Sequence, residues 1–151
     1  MFGTMKRGVN AYANVGLETG IASASPLKLI IMLYDGALAA LLGAKVNMNA
    51  GNIAAKGAAI SKAITIIDNG LRASLDKTAG GDVAENLDSL YDYMSRRLLQ
   101  ANLKNEVGIV EEVHGLLAEL RSAWVALGDK AEQPASMAAP TAARIPNMAS
   151  A

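Results

Sequence analysis

Residues 25–47 read SPLKLIIMLYDGALAALLGAKVN, and this stretch decides the fold. Ser25 is a residue type that caps helix N-termini, and Pro26 suits the first helical position because its missing N–H would have no partner there. The stretch therefore predicts a helix over about Ser25–Asn47. Its first part, residues 27–34, is apolar on nearly every side, whereas one apolar stripe suffices for a bundle helix. Either this helix is central and buried, which is the commoner use of such residues, or a groove remains for a partner.

Two further segments carry apolar side chains at helical spacing, one on each side of a glycine pair. The second helix is predicted over about Asn52–Lys77, and Gly80-Gly81 ends it. The third begins at Asp82, which has capping-box spacing to Glu85. The stripe of the second helix consists of Ile53, Ile60, Ile64, Ile67, Leu71 and Leu75. The stripe of the third consists of Val83, Leu87, Leu90, Met94, Leu98 and Ala101.

A fourth helix is predicted from near Asn105 to Gly128. Its stripe consists of Val110, Val113, Leu117, Leu120, Trp124 and Leu127. Connections of a few residues make successive helices antiparallel neighbours. We therefore expect an all-α fold, an antiparallel up-down four-helix bundle over residues 25–128. The composition agrees, because the chain is 52% hydrophobic but only 4% aromatic and consists mainly of strong helix formers.

The two flanks of the bundle have different compositions. Residues 1–24 hold a weaker apolar set, which predicts one short helix that caps the bundle. That set is Val9, Tyr12, Val15 and Leu17. After Gly128 the chain turns to Ala, Ser, Met and Pro, so residues 129–151 are expected to form a disordered tail.

Composition and charge exclude several functions. The chain has no cysteine, which rules out disulfides, thiolate zinc sites and cysteine nucleophiles. Fourteen basic and fourteen acidic residues balance, so no large counterion-release term favours nucleic acid. Charge-free stretches before the tail fall far short of the roughly 20 apolar residues of a membrane span. The simplest interpretation is a soluble cytoplasmic protein without direct membrane insertion.

Candidate catalytic or metal-binding groups are few. Glu111 and the sole histidine, His114, have the Glu-x-x-His spacing of di-iron bundles, but such a site needs two of these motifs and two more carboxylates. One chain cannot supply them, so a solvated or hydrogen-bonded histidine is the better interpretation. Acid–base pairs at i,i+4, such as Asp68 with Arg72 and Asp92 with Arg96, indicate a solvated helix face. We expect no catalysis, no metal and no cofactor.

Many short segments of the chain, in a fixed order, resemble the FliS family of flagellar secretion chaperones. They cover roughly residues 10–127. The strongest is Leu90-Tyr91-Asp92-Tyr93-Met94, which continues through Arg96-Arg97-Leu98 to Ala101-Asn102. The others are Ala11-Tyr12 with Val15, residues 23–26 with Leu29, residues 32–36, 62–64 and 66–71, Gly80-Gly81 with Ala84, Asn86 and Leu87, Glu112-Val113, Leu116-Leu117 and Trp124.

The resemblance implies a helical bundle that binds the C-terminal segment of flagellin, which is disordered in the free monomer. Binding would prevent premature polymerisation and deliver the subunit to the flagellar type III export gate. An export-gate membrane protein and the anti-sigma factor FlgM are further partners of some family members. The apolar residues expected to line a flagellin groove are Leu27, Ile30, Ile31, Leu33, Tyr34, Ile64, Ile67, Leu71, Leu90, Tyr91, Met94 and Leu98. For each of them core packing is the alternative.

The N-terminal segment suggests a lid. Tyr12 and Val15 would dock over part of the groove in the free protein and leave when flagellin binds, or Tyr12 would simply cap the bundle end. Two other functions remain open at this point. One is a structural or adaptor bundle that binds another amphipathic helix, and the other is a metal-dependent bundle enzyme.

Overall fold

The structure is a computed structural model that describes residues 25–131. Its helices are α1 (Pro26–Ala50), α2 (Ile53–Thr65, continued by a π-helical turn Ile66–Arg72), α3 (Lys77–Lys104) and α4 (Val107–Ala131). Residues 25–131 contain no strand. Connections of two to four residues join the helices, so the predicted all-α, up-down arrangement of four helices is confirmed.

The ends of α1 follow directly from the sequence around them. Ser25 Oγ accepts a hydrogen bond from Lys28 N–H at 3.2 Å, and Pro26 begins the helix as predicted. At the other end Gly51 has φ 76°, a left-handed conformation that glycine adopts without strain. The N–H of Asn52 then reaches back to the carbonyl of Asn47 at 2.9 Å, which closes the helix. The helix runs three residues past the predicted end because this stop signal lies at Gly51.

The second helix ends earlier than predicted. It stops at Arg72, not near Lys77, where Arg72 Nε bonds Asp88 Oδ1 on α3 at 2.9 Å, and Ser74 Oγ and N–H both donate to the carbonyl of Gly70, at 2.6 and 3.1 Å. Leu75 consequently lies in the connection to α3, and not on a helical stripe.

A short helical turn precedes the predicted start of α3. The N-cap of this turn is Asp76, whose Oδ1 accepts from Thr78 N–H at 3.1 Å and Ala79 N–H at 3.0 Å, and the long segment of the helix begins after Gly81, at Asp82 as predicted. Asp76 has the same capping chemistry and precedes Asp82 by six residues. The glycine pair still interrupts the helix, since Gly81 has φ 53° and ψ −129°, and regular helix resumes at Asp82.

Helix α1 contributes much of the core. It packs against both α2 and α4, and Tyr34, Ala37, Leu41 and Ala44 are fully buried. By length and composition it is also the one helix among the described residues that could cross a membrane. We did not expect such a helix from the sequence, because we considered only stretches without any charged residue. Its charged residues, Lys28, Asp35 and Lys45, are few enough to leave the mean hydropathy high. In the bundle many of its apolar residues are buried against other helices, Leu33, Tyr34 and Leu41 among them.

The fourth helix packs along α1 and runs beyond the predicted end. It continues through Gly128 to Ala131, and Gly128 lies so close to Leu27 that an added Cβ would be 2.8 Å from Leu27 Cδ2. The predicted short N-terminal helix with Tyr12 and Val15, and almost all of the predicted tail, lie outside the described residues.

Candidate partner-binding site

The structure divides the twelve predicted groove residues into a buried and a half-buried group. The buried group consists of Ile30, Leu33, Tyr34, Ile67, Leu71, Tyr91, Met94 and Leu98. The half-buried group consists of Leu27, Ile31, Ile64 and Leu90. The first group forms the core between helices, so a partner could reach it only if helices moved apart. The apolar surplus of residues 27–34 is thus largely used inside the bundle.

A buried polar cluster fixes three helices to one another through this core. The hydroxyls of Tyr34 on α1 and Tyr91 on α3 are hydrogen-bonded, and Trp124 Nε1 on α4 donates to Tyr34 Oη at 3.0 Å. Burial raises the pKa of Tyr34 to about 12 and also raises the pKa of Tyr91. Buried polar groups are most stable when hydrogen-bonded, so this cluster favours one arrangement of α1, α3 and α4.

Large apolar side chains are exposed elsewhere, in two pairs that sequence reasoning did not select. On α1, Leu42 is 53% exposed and Val46 66%. On α3, Leu99 is 59% exposed and Leu103 84%. Members of each pair are four residues apart, so they are neighbours on one helix face. A single exposed leucine needs no explanation, whereas paired ones form a surface that a partner can cover.

These exposed residues lie toward the same end of the bundle. Two hydrogen bonds that join α2 to the end of α3 show this. Lys56, only 5% exposed, donates from Nζ to the carbonyl of Asn102 at 2.9 Å and to Asn105 Oδ1 at 3.0 Å. The start of α2, where Ile53 is exposed, is therefore beside the end of α3, where Leu103 is exposed. We call this the apolar end of the bundle.

The sequence did contain a signal for these residues. Leu41-Leu42 and Leu98-Leu99 are doublets, and adjacent positions on a helix are 100° apart, so both members cannot face the core equally. In each doublet the first leucine is fully buried and the second is exposed. Another doublet does not behave in this way, since both Ile66 and Ile67 are buried, so a doublet alone does not identify an exposed position.

Charged side chains on the flanks join helices to one another. The predicted i,i+4 pairs are present, Asp68–Arg72 at 3.5 Å and Asp92–Arg96 at 2.9 Å. Arg72 also bonds Asp88 across to α3, and this guanidinium is the main reason that the pKa of Asp88 is lowered. The two i,i+4 pairs each lie within one helical element, whereas the Arg72–Asp88 pair joins the end of α2 to α3.

A second polar cluster joins α3 to α4. Tyr93 Oη donates to Glu112 Oε2 at 2.7 Å, and Arg97 Nη2 donates to Glu112 Oε1 at 2.9 Å. The Tyr93 hydroxyl, followed by Arg97, lowers the pKa of Glu112. Arg97 also lies over the Tyr93 ring, 6.0 Å from its centroid. Each of the three side chains therefore contacts the other two.

Groups with catalytic potential do not converge. Glu111 pairs with Lys45 Nζ at 2.7 Å on the surface between α1 and α4. Within residues 25–131, no three histidine, aspartate or glutamate side chains are placed to hold a metal ion. The described residues form a closed helical core with two pairs of apolar side chains exposed outside it.

Comparison with known proteins identifies the class of chain. The family model for the flagellar protein FliS matches residues 8–131. The flagellar secretion chaperone FliS of Salmonella typhimurium is 54% identical over 124 residues, which cover 82% of this chain and 92% of that protein. The chaperone of the same name from Escherichia coli is 49% identical over 118 residues, 78% of this chain and 87% of that protein. The one from Bacillus subtilis is 33% identical over 107 residues, 71% and 78% of the two chains.

The chain belongs to the FliS family of flagellar secretion chaperones. The resemblance seen in the sequence is thereby confirmed. This family consists of chaperones, not enzymes, so the metal-dependent enzyme is set aside.

Proposed function

We propose that this chain binds the disordered C-terminal segment of flagellin in the cytoplasm, prevents its premature polymerisation and delivers it to the flagellar export gate. Membership in a family of flagellar secretion chaperones supports a secreted flagellar substrate. Contacts with an export-gate protein and with the anti-sigma factor FlgM are further proposals, and these rest on the family resemblance alone.

The observation that carries the proposal is the pair of exposed apolar ridges, Leu42 with Val46 and Leu99 with Leu103. A disordered segment that folds on binding must recover its ordering entropy by burying apolar surface. An amphipathic flagellin helix laid along such a ridge would bury both apolar side chains of that ridge.

Charge has a minor part in this recognition. The chain is neutral overall, and its ion pairs are largely satisfied between its own helices. Apolar contact is only weakly screened by salt, so flagellin affinity should change little with ionic strength.

Co-purification with two forms of flagellin tests the proposal. We expect full-length flagellin to be retained by the chain, and flagellin without its C-terminal segment to be lost. Calorimetry with that segment should then give one-to-one binding, a negative heat-capacity change and a gain of helicity. Equal retention of both forms, or of neither, contradicts the proposal, and retention of a different amphipathic helix alone would favour the adaptor alternative.

The N-terminal segment is proposed to regulate access to the binding surface. Tyr12 and Val15 precede Ser25, the start of α1, by 13 and 10 residues, and ten extended residues span roughly 33 Å, enough to reach Leu42, about 26 Å from Ser25 along α1. A segment that covers the site in part of the molecules lowers the apparent affinity by that fraction. Deletion of residues 1–17 should therefore tighten binding of the flagellin segment in a titration, and weaker or unchanged binding would count against a lid.

A further inference from the structure

The turn Ile66–Arg72 that ends the second helix is π-helical. Its hydrogen bonds run from residue i to i−5, so it holds one residue more than an α-helical turn, and such turns are frequent at functional sites. The apolar pattern does not require it. Ile60, Ile67 and Leu71 are spaced by seven and four, as in an uninterrupted α-helix. The same side chains could therefore be buried by either form of the turn.

What the π turn changes is the position of Arg72. One extra residue shifts the chain after it by one residue step, about 100° around the helix axis. In this position Arg72 Nε donates to Asp88 Oδ1 at 2.9 Å, and Nη1 contacts Asp92 Oδ1 at 3.4 Å. Nη1 also lies 3.5 Å from Asp68 Oδ1, and that same oxygen accepts from Ser95 Oγ at 2.8 Å. The polar contacts with α3 thus favour the π form.

The chain on either side can absorb a change of register. Residues 73–76 form a short connection with no regular structure. Beyond it, the first turn of α3 is separated from the rest of the helix by Gly81, whose φ of 53° favours glycine. The last turn of α2 could therefore rewind without displacing the body of α3.

We propose that Arg72, with Asp68, Asp88 and Asp92, is a latch that holds residues 66–72 in the π form, and that its release converts this turn to α-helix. The conversion lengthens α2 into the connection and turns Arg72 away from α3.

The latch is continuous with one of the exposed ridges. Asp92, Arg96, Leu99 and Leu103 follow one another at spacings of four, three and four, so they lie on one flank of α3. A helix bound on Leu99 and Leu103 abuts the carboxylates of the latch and can displace Arg72 from them. This coupling rests on the proposed binding of flagellin, whereas the latch itself does not.

Scalar couplings across hydrogen bonds, measured by NMR on the full chain, distinguish the two forms. We expect the N–H of Leu71 to couple to the carbonyl of Ile66 in the wild type, and to that of Ile67 in Arg72→Met. Arg96→Met is the matched control, because Arg96 also bonds Asp92, at 2.9 Å, but from within α3, and it should keep the wild-type pattern. Asp88→Asn, a milder change that weakens the same contact, serves if Arg72→Met does not fold.

Two outcomes overturn the latch. One is a wild type whose Leu71 couples to Ile67, and the other is a folded latch variant that keeps the coupling to Ile66.

A saturating flagellin C-terminal segment should also move the Leu71 coupling to Ile67, and it should bind Arg72→Met about fivefold more tightly. Binding that leaves the Ile66 coupling in place refutes the coupling to flagellin. Absence of binding refutes the proposed function, and the latch is then decided by the variants.

Discussion

Tyr34 has the central place in the buried polar cluster, because its hydroxyl bonds both Tyr91 Oη and Trp124 Nε1. Removing that hydroxyl takes away both of these hydrogen bonds. Removing the Tyr91 hydroxyl leaves the Trp124–Tyr34 bond intact. The two tyrosines are nearly equal in burial, so their difference isolates the number of hydrogen bonds.

We expect Tyr34→Phe to lower the free energy of unfolding by about 2–3 kcal/mol and Tyr91→Phe by about 1 kcal/mol, since a buried group left unpaired costs roughly 1–3 kcal/mol. Urea denaturation of the two variants measures this. Equal losses, or a larger loss for Tyr91→Phe, would show that the cluster is not organised around Tyr34.

The same burial makes the fold sensitive to alkali. The pKa of Tyr34 is about 12 in the folded chain, against about 10 for an unfolded tyrosine. The unfolded state therefore loses this proton first, and the stabilisation present below about pH 10 is lost as pH rises toward about 12. Unfolding free energies measured across this range should fall with pH, and less steeply for Tyr34→Phe. Identical slopes for variant and wild type would contradict this origin.

Within single helices, two exposed glycines should respond in opposite ways to substitution by alanine. Gly115 lies in the middle of α4, and an added Cβ would meet nothing within 4 Å. Gly81 has equally open space, but its φ of 53° is a conformation that other residues rarely adopt. Space is therefore matched between the two sites, and only the backbone conformation differs.

We expect Gly115→Ala to raise the free energy of unfolding by about 0.5–1 kcal/mol, because alanine loses less entropy in a helix. Gly81→Ala should instead lower it by about 1 kcal/mol or more, through strain. Thermal denaturation of both variants, with the wild type as reference, gives the sign of each change. A destabilised Gly115→Ala would indicate that this face of α4 is closely covered.

Elements whose cause is local could be predicted from the sequence, and elements fixed from a distance could not. Ser25 and Pro26 act within one turn, so the start of α1 was predicted correctly. The end of α2 was not, because the partners of Arg72 are 16 and 20 residues away, at Asp88 and Asp92. An apolar stripe is the same for an α and a π turn, so the pattern alone gave no indication of the change.

The candidate site shows the same limit. Periodicity selects the residues that face other helices, and this is why eight of the twelve chosen for the groove are buried, Tyr91 and Met94 among them. Whether Leu99 and Leu103 are exposed depends on how much of the surface of α3 the neighbouring helices cover. The packing of the whole bundle sets that coverage. Only the leucine doublet at 98–99 hinted at it.

For the whole molecule, the division of apolar residues between core and surface decides how a partner binds. Helix α1 is apolar enough to suggest an open groove, yet its centre is closed by contacts with α2 and α4. Binding through the core would require breaking the Tyr34 cluster, whereas binding on the outer ridges leaves it intact. This difference supports the proposal that flagellin binds on the ridges at the apolar end.

The most direct test is calorimetry of the flagellin C-terminal segment with the Leu99→Ser/Leu103→Ser double variant. Losing two leucine contacts removes roughly 3 kcal/mol of apolar burial, and each 1.4 kcal/mol is about tenfold in affinity. We expect binding about a hundredfold weaker, with an unfolding midpoint equal to that of the wild type. Leu42→Ser/Val46→Ser, measured in parallel, shows whether the segment also reaches α1. Wild-type affinity in both double variants, with the wild type binding normally, would contradict recognition through the exposed ridges.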